Sequence, residues 1–153
     1  MTLGRWTCGA WLGLMLAVLG CKATKPTPAE AIDEVAVKEY QAVLEKQIGI
    51  VEELAAILKT VDEGAASREN AKVHLLELSA KNDKVLAEFG SFSFKDFRAR
   101  NKIESEAATR VVDRFDKART RLYGEIARIN KMEGGQEFFQ KDVRQIVEGL
   151  KRQ

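Results

Sequence analysis

The sequence predicts an all-α fold: an antiparallel bundle of three to four helices behind an N-terminal leader. Three observations carry this. Both prolines, Pro26 and Pro28, precede the expected domain, so the rest of the chain lacks the strongest helix breaker. Ala, Leu, Glu, Lys and Arg dominate that remainder, and all favour helix. Apolar residues recur there at steps of three and four, in stretches interrupted by Gly- and Ser-containing breaks.

The leader has an order of its own. Residues 1–7 carry one base, Arg5, and no acid. The apolar run that follows, residues 10–19, is about half the ~20 residues that a bilayer-spanning helix needs. A charged start, a short apolar run and a small residue before a cut site make an export signal. Its end, Val18-Leu19-Gly20-Cys21, resembles the lipobox of bacterial lipoproteins. Val18 stands where Leu is more usual, and Leu19 is larger than the usual residue. The resemblance implies cleavage before Cys21, a diacylglycerol on its thiol and an acyl chain such as palmitate on the new amine. It covers about twenty residues and implies nothing for the rest. Cys8 would leave with the signal, so Cys21 would be the mature chain's only cysteine. A lone thiol at the first mature position is odd for a secreted protein and expected for a lipid-modified one. Two or three acyl chains also anchor stably where one is marginal.

Lys22 occupies the position where lipoproteins retained at the inner membrane commonly carry Asp. The resemblance therefore implies the periplasmic face of the outer membrane, in a cell that has one. Residues 22–28 read as a tether, extended at ~3.1 Å per residue and reaching roughly 20 Å. Lys22 and Lys25 would contribute about 1 kcal/mol each against anionic head groups at the surface. The chain thus divides into a signal (1–20), a lipidated Cys21 with tether (21–27) and a helical domain (28–153).

Helix one is expected over 28–61, with Thr27 as cap, Pro28 in the first position and Glu30 reaching back. Ile32, Val35, Ala36, Tyr40, Val43, Leu44, Gln47, Ile48, Val51, Leu54, Ala55, Leu58 and Val61 form its inner face. Gly49 suggests a close approach or a slight bend. Helix two, 67–89, starts at a Ser67 cap and turns inward Ala71, Leu75, Leu78, Asn82, Val85, Leu86 and Phe89, with Gly90 just past its end. Helix three follows a Ser93 cap, with Asp96 third and Phe92 and Phe97 placed as a hydrophobic staple. Its stripe runs from Ile103 through Ala107, Val111, Phe115, Ala118, Leu122, Ile126 and Ile129 to Met132, supported by Glu106/Arg110 and Asp113/Lys117 pairs. Helix four, 136–151, buries Phe139, Val143, Ile146 and Leu150, with Val147 beside them.

At 1.5 Å per residue these helices are about 50, 35, 60 and 24 Å long. Helix three is then expected to overshoot helix one, with helix four folding back on the overshoot. The alternative is a bend near Gly124 that lets helix four complete a compact bundle. Helix one is rich in acids and helix three in bases, so the two attract, though exposed pairs contribute little singly. The net charge of +2 selects no partner.

No catalytic constellation is legible. His74 is the only histidine, and His74-x-x-Glu77 reverses the order that carboxylate-bridged metal bundles use. No zinc-ligand set, haem-attachment motif or phosphate-cradling loop is present, so no catalytic residue, cofactor or metal is expected. Arg98, Arg100, Lys102, Arg110, Arg114, Arg119, Arg121 and Arg128 are interspersed with acids, and export argues against nucleic acid. The adjacent aromatics Phe92/Phe94 and Phe138/Phe139 cannot all face the core squarely, which makes Phe92, Phe94 and Phe138 candidate partner contacts. The expected role is a membrane-tethered, non-catalytic interaction module of the bacterial envelope, with an envelope protein as partner. The alternative is an enzyme or small-ligand carrier with a pocket between helices.

Overall fold

The computed structural model describes residues 32–150, and every regular element among them is helical. α1 spans Glu34–Thr60, α2 Ala65–Ser91 and α3 Phe97–Ile129. A short α4, Gly135–Phe138, continues through a π-helical turn, Phe139–Val143, into α5, Arg144–Gly149. The signal, Cys21, the tether, the Thr27/Pro28/Glu30 cap and Lys151 lie outside the described residues.

Local chemistry sets the ends. Asp33 is extended, and its carboxylate accepts from the N–H groups of Val35 and Ala36, both at 3.1 Å. α1 therefore starts at Glu34 rather than running from residue 28 through Ile32 and Asp33. At its far end, the Arg128 guanidinium donates to the carbonyls of Leu58 (2.6 Å) and Val61 (2.9 Å). A cation there satisfies orphan carbonyls and opposes the helix dipole. Ser67, expected as a cap, lies inside α2. Its hydroxyl donates to the Thr60 carbonyl and accepts from the Asp62 N–H, tightening the turn between α1 and α2. α2 continues through Gly90 to Ser91. Asp96, not Ser93, caps α3, accepting from Ala99 N–H at 2.8 Å. α3 then runs unbroken past Gly124 to Ile129.

α1 is the central element. α2 and α3 each lie close along it and hardly approach one another. Lys46–Glu88 and Lys81–Glu53 ion pairs show α2 antiparallel to α1. Tyr40 with Glu104, Glu52 with Arg114 and Val61 with Arg128 ascend together, so α3 is parallel to α1. The expected attraction between helix one and helix three is realised as Arg110 on Glu34 and Arg114 on Glu52, each through two hydrogen bonds. Glu106 and Arg110 also pair, at 3.2 Å, whereas Asp113 and Lys117 form no ion pair.

The overshoot expected of helix three does not occur. α3 begins level with the start of α1 and ends beside its C-terminus. The last segment folds back along α2, starting near Arg68 and reaching Asn82 at Gly149. It thus makes a fourth helix beside the first two-thirds of α2, without a bend at Gly124. The bundle has four helices at one end and three at the other.

The π turn explains the packing of this segment. A 3.6-residue period aligns Phe139, Val143, Ile146 and Leu150. The wider turn aligns residues five apart instead. Phe138 and Val143 consequently both face the core, 4% and 0% exposed, while Phe139 and Leu150 are half-buried beside it. The main core joins these residues to Leu54 and Leu58 of α1, Leu75 and Leu78 of α2, and Leu122 and Ile129 of α3. A smaller cluster, Val37, Ile103 and Ala107, fills the three-helix end. Val37 takes the inward position expected for Val35, which is exposed, as is Ile32.

Two glycines give opposite expectations. Gly134 has φ +68°, and a Cβ on Gly135 would sit 1.8 Å from the Ile129 carbonyl oxygen. Gly49 has nothing within 4 Å of its Cβ position, so it marks no close approach. Gly135→Ala is expected to destabilise by about 1–3 kcal/mol. Gly49→Ala is expected to stabilise by about 0.5–1 kcal/mol. Thermal denaturation of both variants beside the parent checks the pair.

Candidate functional site

The three-helix end gathers the aromatic residues. Phe92 caps the C-terminus of α2, and Phe94 sits in the link to α3. Their rings stack 6.1 Å apart at an interplanar angle of 17°. Tyr40 of α1 meets Phe89 and Phe92 edge-on, at 5.3 and 5.1 Å, and Phe94 at 6.2 Å. Aromatic pairs in such geometries stabilise by about 0.5–1.5 kcal/mol beyond burial. Phe92 and Phe94 are therefore brought together, half-buried, as part of a ring cluster rather than as free surface. Phe138, the third expected contact, is buried at the opposite end of the bundle.

A polar chain borders the cluster. The Tyr40 hydroxyl donates to Glu104 Oε1 at 3.2 Å, which also accepts from Arg100 Nε at 2.9 Å. The Arg100 guanidinium lies 5.8 Å from the Phe94 ring centre, in cation–π range. Burial, with the Glu104 charge beside it, pushes the Tyr40 phenol up to about 12. The phenol thus keeps its proton at neutral pH and acts as a donor that fixes Glu104.

Phe97 is the residue that sequence reasoning missed. Read as half of a hydrophobic staple, it is 74% exposed. With Asp96 as the cap, Phe97 is the first residue of α3, one turn too early to fold back on Phe92. The signal was available: Asp and Ser are about equally good caps, and Asp96 stands directly before the helical pattern. Lys95, Arg98 and Lys102 surround it, all exposed.

Most other bases expected on α3 are occupied. Arg110 and Arg114 bind α1 carboxylates, Arg119 pairs with Asp116 at 3.4 Å, and Arg128 closes α1. The bonds from Arg110 and Arg114 hold the Glu34 and Glu52 carboxyls below their ordinary range. His74 lies exposed, with Nδ1 3.8 Å from Glu77. Among the described residues no group of three or more His, Cys, Asp or Glu is placed to hold a metal ion. The buried polar side chains there are Gln47 and Asn82, both uncharged, and Asn82 Oδ1 has no hydrogen-bond partner. No described helix is long and apolar enough to cross a membrane.

Compared with known protein families, curated proteins and solved structures, the chain matches none.

The raised Tyr40 value makes a pH expectation. A proton held more tightly in the folded state gives a contribution that is complete below pH 10, the ordinary phenol value, and is lost as pH rises through about 12. Titration of the tyrosinate absorbance should show a late step near pH 12 that disappears in Tyr40→Phe. Denaturation midpoints should fall over the same window in the parent and less steeply in the variant.

Proposed function

We propose that this chain is a membrane-tethered, non-catalytic interaction module of the bacterial cell envelope. Acyl groups on Cys21 hold it to the bilayer, and the helical domain meets an envelope protein. The observation that carries the reading is the Val18-Leu19-Gly20-Cys21 pattern at the end of an export-type leader, followed within a few residues by Lys22-to-Pro28 composition suited to a tether. Lys22 after the cysteine favours the outer membrane in a two-membrane cell.

Exposed apolar groups support an interaction role. Val73 and Leu76, one turn apart on the outer face of α2, are 57% and 73% exposed. Side chains of that size in water favour burial against a partner, by about 25 cal/mol per Å² of apolar surface covered.

Intact mass and membrane fractionation of the native product, beside Cys21→Ala, test the tether. The expected result is a mature chain beginning at an acylated Cys21 in the membrane fraction, with the variant unprocessed or released. An unmodified chain in the soluble fraction overturns the reading.

A further inference from the structure

We propose that the three-helix end of the bundle docks on an anionic phospholipid surface, with Phe97 inserted among the head groups and Lys95, Arg98 and Lys102 on the phosphates. The inference rests on the tethered reading above and adds a second, non-covalent contact made by the folded domain itself.

Three observations converge on this end. The first is apolar exposure: Phe97 is 74% exposed, Val35 66% and Ile32 44%, all near the N-termini of the parallel α1 and α3. An exposed Phe among Lys and Arg is the composition of surfaces that lie in the bilayer interface. The second is charge. Residues 95–102 carry Lys95, Arg98, Arg100 and Lys102 against one acid, Asp96. Arg100 is engaged by Glu104, and Asp96 caps its own helix. Lys95, Arg98 and Lys102 are exposed and form no ion pair within 4 Å among the described residues, although the Ala99 N–H bond, helped by the nearby Lys95 and Arg98 charges, holds the Asp96 carboxylate below its ordinary range. Nearby acids are partly consumed too: Glu34 is bound by Arg110 and Asp33 caps α1, which leaves Glu39 exposed beside Lys38. The third is connectivity. The chain enters the described domain at Ile32, eleven residues after Cys21, and eleven residues span at most about 40 Å. Ile32 lies at the three-helix end, beside the start of α1, so the short tether joins the domain at the end that carries Phe97.

The aromatic cluster gives the surface its stiffness. Phe92 and Phe94 are locked on Tyr40, and the Tyr40–Glu104–Arg100 chain fixes the first turns of α3. Phe97 is thereby held outward on an ordered helix end.

The test places a photo-reactive benzoyl-phenylalanine at Phe97 and, in a second variant, at Leu76, which is equally exposed on α2. Each full chain is expressed in a bacterial host, purified and reconstituted into phosphatidylethanolamine/phosphatidylglycerol vesicles, and separately into phosphatidylcholine vesicles. Mass spectrometry reads Cys21 acylation and phospholipid adducts on the same sample. The expected result is a phospholipid adduct at position 97, little at 76, and an adduct at 97 at least about fivefold weaker on neutral vesicles or after Lys95→Glu/Arg98→Glu. An acylated Cys21 with adduct at 97 no greater than at 76 overturns the docking surface and leaves the tether standing. An unacylated Cys21 with a strong adduct at 97 overturns the tether and leaves the docking surface standing. Loss of both overturns both.

Discussion

The breadth of the apolar arc on α1 is the constraint on which the rest of the structure depends. Its buried residues include Gln47, Ile48, Ile50, Val51, Leu54, Ala55, Ile57 and Leu58, so nearly every turn in its C-terminal half faces protein on more than one side. A helix with one narrow stripe accepts one neighbour or a single seam; a wide arc accepts two. α2, with Ala71, Leu75, Leu78, Asn82 and Val85 buried, and α3, with its 103–129 stripe, are the narrow kind. They lie on either side of α1 and leave a space between them that the C-terminal segment fills. Leu54 and Leu58 are fully buried, and truncating either to Ala removes about 2–5 kcal/mol by loss of transfer energy and a residual cavity.

Much of this was legible in the sequence. The helical content, four helical stretches and most inward positions of α2 and α3 follow from period and composition. What escaped has specific causes. Ile50 and Ile57 fall outside a single 3–4 stripe on α1, yet both are buried because the apolar arc is broader than one stripe. Ser93 and Asp96 are near-equivalent caps, and the choice between them moved Phe97 from a supposed staple to the surface. A strict 3.6 period puts Phe139 inside and Phe138 outside, and the π turn at residues 139–143 breaks that period. The docking of the last helix on α2 was hidden because loop length constrains direction but not which neighbour is chosen. At the candidate site, the sequence pattern places Phe92 and Phe94 as adjacent aromatics, but their packing on Tyr40 is tertiary and has no local signal.

The two ends of the bundle are closed by different means. The four-helix end is closed by Phe138, Val143 and Ile146, and by the Arg128 bonds that finish α1. The three-helix end lacks a fourth element and is closed by aromatic rings and the polar chain from Tyr40 to Arg100. Exposed Phe97 and its lysines and arginine project from the end where the chain arrives, while Val73 and Leu76 lie on the part of α2 nearest the opposite end. The two exposed apolar patches, Phe97 at one end and Val73 with Leu76 toward the other, are thus separated by much of the length of α1.

Native-state hydrogen exchange tests the central role of α1 most directly. Core amides of α1 between Ile48 and Leu58 should exchange only through global unfolding and share the highest opening free energy in the domain. Those of residues 135–149, held mainly on α2, should open at lower free energy. Exchange of the α1 amides as fast as, or faster than, those of the C-terminal segment would contradict the account.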